Sequence, residues 1–425
     1  MSEPRPGSTR SRITADLVIK GRLDMRLSTV TSVVLVLTAV LAFTTIVPAQ
    51  QAPAAPPAWQ QGRPAEMATS PLAPVPAPPQ PTPAAQIQLD KIKLPQGFKI
   101  NVWADNMLNA RQMAWGAKGT LFVGTRVAGN VYAVTEKGGK REAKVLLKGL
   151  TQPNGLVFKD GALYVATIPT LLKYENIEAN LDNPPAPKEI YAFPKDAHHN
   201  WRFLILGPDG KLYFNMGAPC NICMPPDTHA NVARMNLDGT GFEYVAFGVR
   251  NSVGADFHPV TKELYFTNHG RDWAGDDFPH DTLHHAPKKG LHFGYPYCHQ
   301  GDTLDPDFGK GRSCSEFAPP LLLLGPHVAP VGTRFYTGNL FPAEYRNRLF
   351  IAQKGSWNRT QKLGYRIMTV DLKPGQPPKY DVFADGFHQG NAVLGRPTYI
   401  EWMPDGSMLV SDDYHGAIYH VTYSR

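Results

Sequence analysis

Apolar and polar residues alternate along the chain in short runs, and each run is punctuated by a tight turn. Six segments share one pattern, a polar or glycine-bearing turn followed by a strand of aliphatic and aromatic residues. They are Ala117–Val123, Lys159–Val165, Pro208–Phe214, Val260–Phe266, Tyr345–Ile351 and Pro404–Val410. Turns such as Pro208-Asp209-Gly210 reverse an antiparallel pair, so each segment predicts a hairpin. Further strands follow several of them, as in Gly129–Val134 and Gly416–Val421. The segments recur every 40 to 60 residues, about one propeller blade, with one longer gap near residues 270–340.

Repeated hairpins at this spacing predict an all-β fold, a six-bladed β-propeller of four-stranded antiparallel blades. A β-sandwich or a β-helix is the alternative, although neither requires four strands per repeat. Helical periodicity is confined to a short stretch around Leu171 to Asn180. In a propeller the loops at one end of the channel converge, which makes the long gap rich in Gly, His and Asp a candidate for site-building.

The pattern changes before residue 87. Arg22 and Arg26 precede eighteen uncharged, mostly apolar residues, Val30 to Val47, which end at Pro48-Ala49-Gln50. This reads as a secretory signal, with Met25 as an alternative start, and a membrane anchor is the competing reading. From Pro48 to Pro83 there are twelve prolines in thirty-six residues, too extended a composition to bury a core. The expected organisation is a signal or anchor over 1–50, a Pro/Ala-rich linker over 51–86 and the propeller over 87–425, in a periplasmic or secreted protein, with a membrane tether as the variant if the anchor is kept.

The formal charge of +7 includes seven Lys/Arg and four Asp/Glu in the first 86 residues, which leaves +4 for the folded part. No basic run interleaved with aromatics accompanies it, so nucleic acid is not an expected partner. The four cysteines, Cys220, Cys223, Cys298 and Cys314, all fall in the folded part. Export favours the bridges Cys220–Cys223 and Cys298–Cys314, and a zinc site is the alternative.

Candidate chemistry gathers near strand ends. His198 and His199 precede the third repeat, and a histidine there can act as a base near neutral pH. Arg250-Asn251 offers a planar donor fork beside an amide, suited to carboxylates and carbonyls. The stretch Asn268–Asp277 combines flexible glycines with carboxylates that suit a hard cation such as calcium, although its spacing is not that of an EF-hand. Lys354 and Arg396 adjoin predicted strand ends.

Together these segments resemble the glucose/sorbosone dehydrogenases, soluble propellers that use pyrroloquinoline quinone (PQQ), and above all the L-sorbosone dehydrogenase-like branch. The resemblance spans about residues 90 to 425 and rests on Leu94-Pro95-Gln96-Gly97-Phe98, Gln152-Pro153-Asn154-Gly155-Leu156, His198-His199-Asn200-Trp201-Arg202-Phe203, Gly217-Ala218-Pro219-Cys220-Asn221-Ile222-Cys223, Arg250-Asn251 and Ser411-Asp412-Asp413. It implies His199 as general base, hydride transfer to PQQ, and Arg250 and Asn251 at the quinone, with Arg250 stabilising the charge that develops there. It also implies His269, Lys354 and Arg396 as cofactor contacts. Calcium would be held by the carbonyls of Gly270 and Arg271, with Asp276 and Asp277 as nearby ligands.

The chain departs from that pattern at four places. Ala218 replaces an aspartate that supports the histidine, so His198 or a loop acid is the expected orienting partner. Val253 and His269 each replace a glutamine, and Thr398 replaces a second arginine. Cys223 is followed by Met224, so no Cys-x-x-Cys-His haem motif follows it and electrons leave to a separate acceptor, a cytochrome or a quinone. The expected substrate is a sugar or a sugar-derived aldehyde. A calcium-dependent lactonase or esterase propeller and a non-catalytic exported binding propeller are the alternatives.

Overall fold

The computed structural model describes residues 81–195 and 198–424. The expected signal or anchor over 1–50 and most of the linker lie outside the described residues. The packed chain begins earlier than the boundary at 87. Thr82 N donates to His415 O at 2.8 Å, and Ala84–Gln86 form a single 3-10 turn whose first amide donates to the Asp105 carboxylate.

Among the described residues the strands form six main sheets and two small hairpin sheets. Each main sheet is a blade of four antiparallel strands, and blade three gains a fifth, parallel strand at its outer edge. Blades one to five run over residues 110–147, 155–192, 204–247, 255–326 and 330–384. Blade six takes three strands from residues 397–423 and its outermost strand, Phe98–Ala104, from the start of the domain. Pairing of Phe98 with Tyr423 through to Ala104 with Ile418 closes the ring, so no blade is left with an open neighbour. The six repeated segments supply the second strand of all six blades.

Those second strands are apolar on both faces because each blade is covered on both sides. Leu121 and Val123 pack toward blade six while Phe122 packs toward blade two. Leu163 and Val165 face blade one, and Tyr164 faces blade three. The core is accordingly six layers between blades rather than one central mass. The short helical pattern around Leu171 resolves into the strand Thr170–Tyr174 followed by one 3-10 turn, Ile177–Ala179.

Near the axis the blades approach so closely that side chains bond to the next blade's backbone. Gln112 Nε2 reaches Leu156 O and Leu204 O, at 2.9 and 2.6 Å. A Cβ on Gly155 would stand 2.7 Å from Arg202 O, so only glycine admits that approach. The long gap is an insertion between the third and fourth strands of blade four. It carries a small hairpin, Cys298–His299 with Thr303–Leu304, and is bridged by Cys298–Cys314. Cys220 and Cys223 form the second disulfide, so all four thiols are used in the expected pairs.

Candidate active site

Blades one, four, five and six line one cavity of about 600 Å³, and the chain between blades two and three adds His198, His199 and Trp201 and that between blades three and four Arg250 and Asn251. It gathers His199, Arg250, Asn251, His269, Gly270, Lys354 and Arg396 from positions up to 197 residues apart. Pockets of a few hundred Å³ with convergent polar groups are the usual size for a small organic ligand.

His199 stands in a left-handed backbone conformation, φ +52°, and is 5 % exposed. Gly217 permits this, since a Cβ there would lie 2.2 Å from His199 O. His199 Nδ1 lies 3.0 Å from Ala218 O, and a carbonyl only accepts, so the proton is on Nδ1. That leaves Nε2 as an acceptor lone pair with no protein donor among the described residues. The orienting partner is thus the main chain of Ala218, not His198 or a loop acid as expected. His198 contributes only ring contact, centroid to centroid 4.1 Å. Burial, then the neighbouring Arg250 and His198, holds the His199 imidazole well below its ordinary pKa. Behind the loop, buried Arg202 Nη1 donates to Thr167 O, Ile168 O and Asn200 O, which fixes the segment to blade two.

Arg250 is more constrained than expected. Its Nε donates to Asn221 O, its Nη2 to Asn221 Oδ1 and Asp272 Oδ2, and its Nη1 to Gly270 O, at 2.7–2.8 Å. One N–H remains, directed at His269 O at 3.4 Å. The guanidinium therefore clamps the Cys220–Cys223 loop to the 270–272 loop, and its spare donor capacity for a ligand oxygen is small. Asn251 Nδ2 donates to His269 Nδ1 at 3.1 Å, so His269 carries its proton on Nε2, aimed at Pro330 O at 3.2 Å. Burial pushes the His269 pKa down to about 3, keeping it neutral. Asn251 Oδ1 is buried without a hydrogen-bond partner among the described residues.

The other side, built by blades one, five and six, is cationic. Arg111 Nε and Nη2 donate to Asp413 Oδ2 at 3.0 and 2.6 Å. Arg396 Nε lies 2.6 Å from Asp413 Oδ1, as an ion pair whose angle is too poor for a hydrogen bond. Lys354 has no carboxylate within ion-pair distance among the described residues. Burial, then Arg396, pulls its pKa well below the usual lysine value. Arg126 lies 3.7 Å above the Trp201 ring, and burial, then Arg111, lowers its pKa to about 9. Arg111 and Arg126 were absent from the sequence reading, although the logic that marked Lys354 and Arg396, a cation at a strand's end, applies equally to Arg126 after Leu121–Thr125. Arg111 lies inside the strand Ala110–Trp115, where only packing shows that it faces the channel.

A model of the TrAA12-like family matches residues 92–424. The chain belongs to the TrAA12-like family. This member is 34 % identical over 360 residues, 80 % of its length and 93 % of the relative's, to an uncharacterized protein of Borreliella burgdorferi. It is 32 % identical over 122 residues to a pyrroloquinoline quinone-dependent pyranose dehydrogenase of Coprinopsis cinerea, a match covering 24 % of this chain and 16 % of that one. Its fold is similar to the Trichoderma reesei enzyme of carbohydrate-active family AA12 in a calcium structure, with TM-score 0.70, 18 % identity, and 81 % and 100 % of the two chains covered. It is also similar to the holo PQQ domain of the Coprinopsis cinerea pyranose dehydrogenase, with TM-score 0.64, 17 % identity, and 83 % and 100 % covered. The aldose sugar dehydrogenase of Escherichia coli, in its apo form, follows with TM-score 0.59, 16 % identity, and 77 % and 100 % covered. The resemblance drawn from the motifs therefore holds at the level of family and fold.

In this TrAA12-like chain the donor set fits PQQ, a planar quinone with three carboxylates. The cationic side offers unmatched positive charge, with Lys354 and Arg396 both facing the cavity. The acidic side chains expected at the calcium site are turned elsewhere. Gly270 O already accepts a hydrogen bond from Arg250 Nη1. Asp276 accepts from the Thr360 amide, and exposed Asp277 pairs with Arg359 at 2.8 Å, so neither carboxylate lines the cavity. Among the described residues no cluster of three or more His, Cys, Asp or Glu side chains is placed to hold a metal ion. Asp281, which does line the cavity, accepts from the amides of Gly270 and Ala329, and burial raises its pKa to about 7.

Proposed function

We propose that this protein is a PQQ-dependent oxidoreductase that oxidises a sugar or a sugar-derived aldehyde, a sorbosone-type aldehyde included. The observation that carries the reading is the placement of an unprotonated, buried imidazole nitrogen, His199 Nε2, in the same cavity as Lys354 and Arg396. When bound, PQQ supplies an ortho-quinone able to accept a hydride from the substrate carbon. Lys354 and Arg396 bind its carboxylates by charge-assisted contacts. Asn251, with a carboxamide oxygen left without a partner, and His269 line the wall that Arg250 stiffens. His199 Nε2 takes the proton of the substrate hydroxyl as the hydride leaves. Ala218 O then faces the imidazolium at Nδ1, stabilising it with a dipole rather than a full charge. Trp201 and Trp357 offer aromatic surface in the cavity, which suits the apolar face of a pyranose.

Two disulfides and the apolar run Val30–Val47 support a place outside the cytoplasm, periplasmic or secreted, with tethering as a variant of it. The electrons pass to a separate acceptor. A neutral lactone would need no carboxylate clamp of the kind that Lys354 and Arg396 offer in the cavity.

The test is calorimetric titration with PQQ, followed by dye reduction with a panel of aldoses and aldehydes. The expected result is saturable binding, with turnover lost by at least about a hundredfold in His199→Ala while PQQ affinity holds. Absence of binding at high micromolar PQQ would overturn the reading. Binding without turnover of any sugar would favour the non-catalytic propeller.

A further inference from the structure

The cationic wall does not balance itself. Arg111, Arg126, Lys354 and Arg396 line one side of the cavity, and Asp413 is the carboxylate they share. Each acts on another electrostatically: Arg111 and Arg396 on Arg126, and all three arginines on Lys354. Three arginines around one carboxylate leave a formal excess of two positive charges, which Lys354 raises to three when protonated. Purely structural ion pairs are buried in matched sets, because an unmatched buried charge costs several kcal/mol. An excess of this kind calls for an anion of matching charge.

We propose that Arg111 and Arg126, both from blade one, complete the carboxylate cradle with Lys354 and Arg396, so that the cavity takes a tricarboxylate. The proposal rests on the PQQ reading and adds residues that the sequence motifs did not mark. Arg111 spends Nε and one Nη2 hydrogen on Asp413, which leaves its Nη1 donors for a ligand. Arg126 spends only Nε, on Gln152 Oε1 at 3.3 Å, and its guanidinium is held flat by Trp201. Trp201 in turn stands 6.0 Å from the His199 ring, centroid to centroid. Arg126 thus joins the anion cradle to the segment that carries the base.

The backbone shows why the charge comes from blade one. Thr398, where a second arginine was expected, turns its hydroxyl to Ala110 O and Ser411 O, at 3.1 and 3.2 Å. It is spent on tying blade six to blade one, and the residue after Ala110 is Arg111 itself. The cation is displaced by one strand to the neighbouring blade.

The experiment compares wild type with Arg126→Met, Arg111→Met, Arg111→Lys and Lys354→Met in the full chain. PQQ binding is followed by calorimetry and folding by thermal melting without PQQ. Arg126 has no ion-pair partner among the described residues, so Arg126→Met is expected to melt as wild type does and to bind PQQ at least about tenfold more weakly. Arg111→Met is expected to lose a similar factor, and Arg111→Lys to recover most of it. If Arg111→Met does not fold, Arg126→Met and Arg111→Lys carry the test. Wild-type affinity in folded Arg126→Met and Arg111→Met, with binding lost in Lys354→Met, would overturn the proposal and leave the PQQ reading standing. No binding by wild type would remove the reading and the proposal with it.

Discussion

Asp413→Asn separates the two jobs of the cationic wall, holding itself together and holding a ligand. Asp413 is fully buried, and asparagine preserves its shape and one acceptor oxygen while removing the charge. Burial would raise the Asp413 pKa, but Arg111, Arg396 and Lys354 outweigh it and hold the carboxyl at about 2. Against an ordinary 3.8 this corresponds to about 2 kcal/mol of native-state stabilisation. Removing one partner of a buried ion pair costs about 3–5 kcal/mol, so a loss of roughly 2–5 kcal/mol is expected. For a domain of this size that lowers Tm by roughly 3–7 °C, readable by calorimetric melting. Because the folded pKa is depressed, this contribution is complete above the unfolded value near 3.8 and is lost as pH falls through about 2. The gap between wild type and variant should therefore be constant from about pH 5 to 8 and narrow below about pH 4. PQQ binding should change the other way. Removing a carboxylate from the wall that meets an anion removes a repulsion, so Kd should tighten by roughly an order of magnitude. Equal melting temperatures at pH 7, or weaker PQQ binding in the variant, would refute the charge argument and leave Asp413 as a geometric post.

Three further outcomes are expected. In Gly217→Ala the new Cβ meets His199 O and Cβ at 2.2 and 2.6 Å, so the imidazole must leave the cavity. Turnover should fall by at least about tenfold, with a smaller change in PQQ affinity, and unchanged kcat/KM would contradict the placement. The acid limb of kcat/KM, read by dye reduction, should lie below pH 6.5, since burial and Arg250 depress the His199 pKa and only the neutral ring accepts the proton; a limb at or above 6.5 counts against His199 as base. Exhaustive chelation with EGTA should leave PQQ affinity within about twofold, because Asp276 and Asp277 are paired with Thr360 and Arg359 away from the cavity, and a loss beyond about tenfold would restore the calcium site.

Much of the fold was legible in the order of residues. A blade's second strand is covered on both faces, so its leading residues must be apolar in succession, and a tight polar turn must precede it. That local demand repeats six times and announces itself without any contact information. The two disulfides were similarly readable, since each pair is close in sequence. His199, Arg250, Asn251, His269, Lys354 and Arg396 were marked by the family resemblance, several of them also by a place near a strand end, and all reach the cavity.

What the sequence could not decide were the partners each side chain finds across blades, because those contacts span tens to hundreds of residues. The Ala218 carbonyl was invisible as the support of His199, since main-chain atoms carry no residue signature. Arg250 reads as a ligand donor until Asn221, Gly270 and Asp272 are seen to use its hydrogens. Asp276 and Asp277 read as metal ligands until Arg359 and Thr360 close over them. Arg111 and Asp413 stand 302 residues apart, and ring closure alone brings them to 2.6 Å. Local pattern set which residues form strands and which strand ends could bear chemistry. The meeting of six blades at one axis decided which charges are matched and which remain for a ligand.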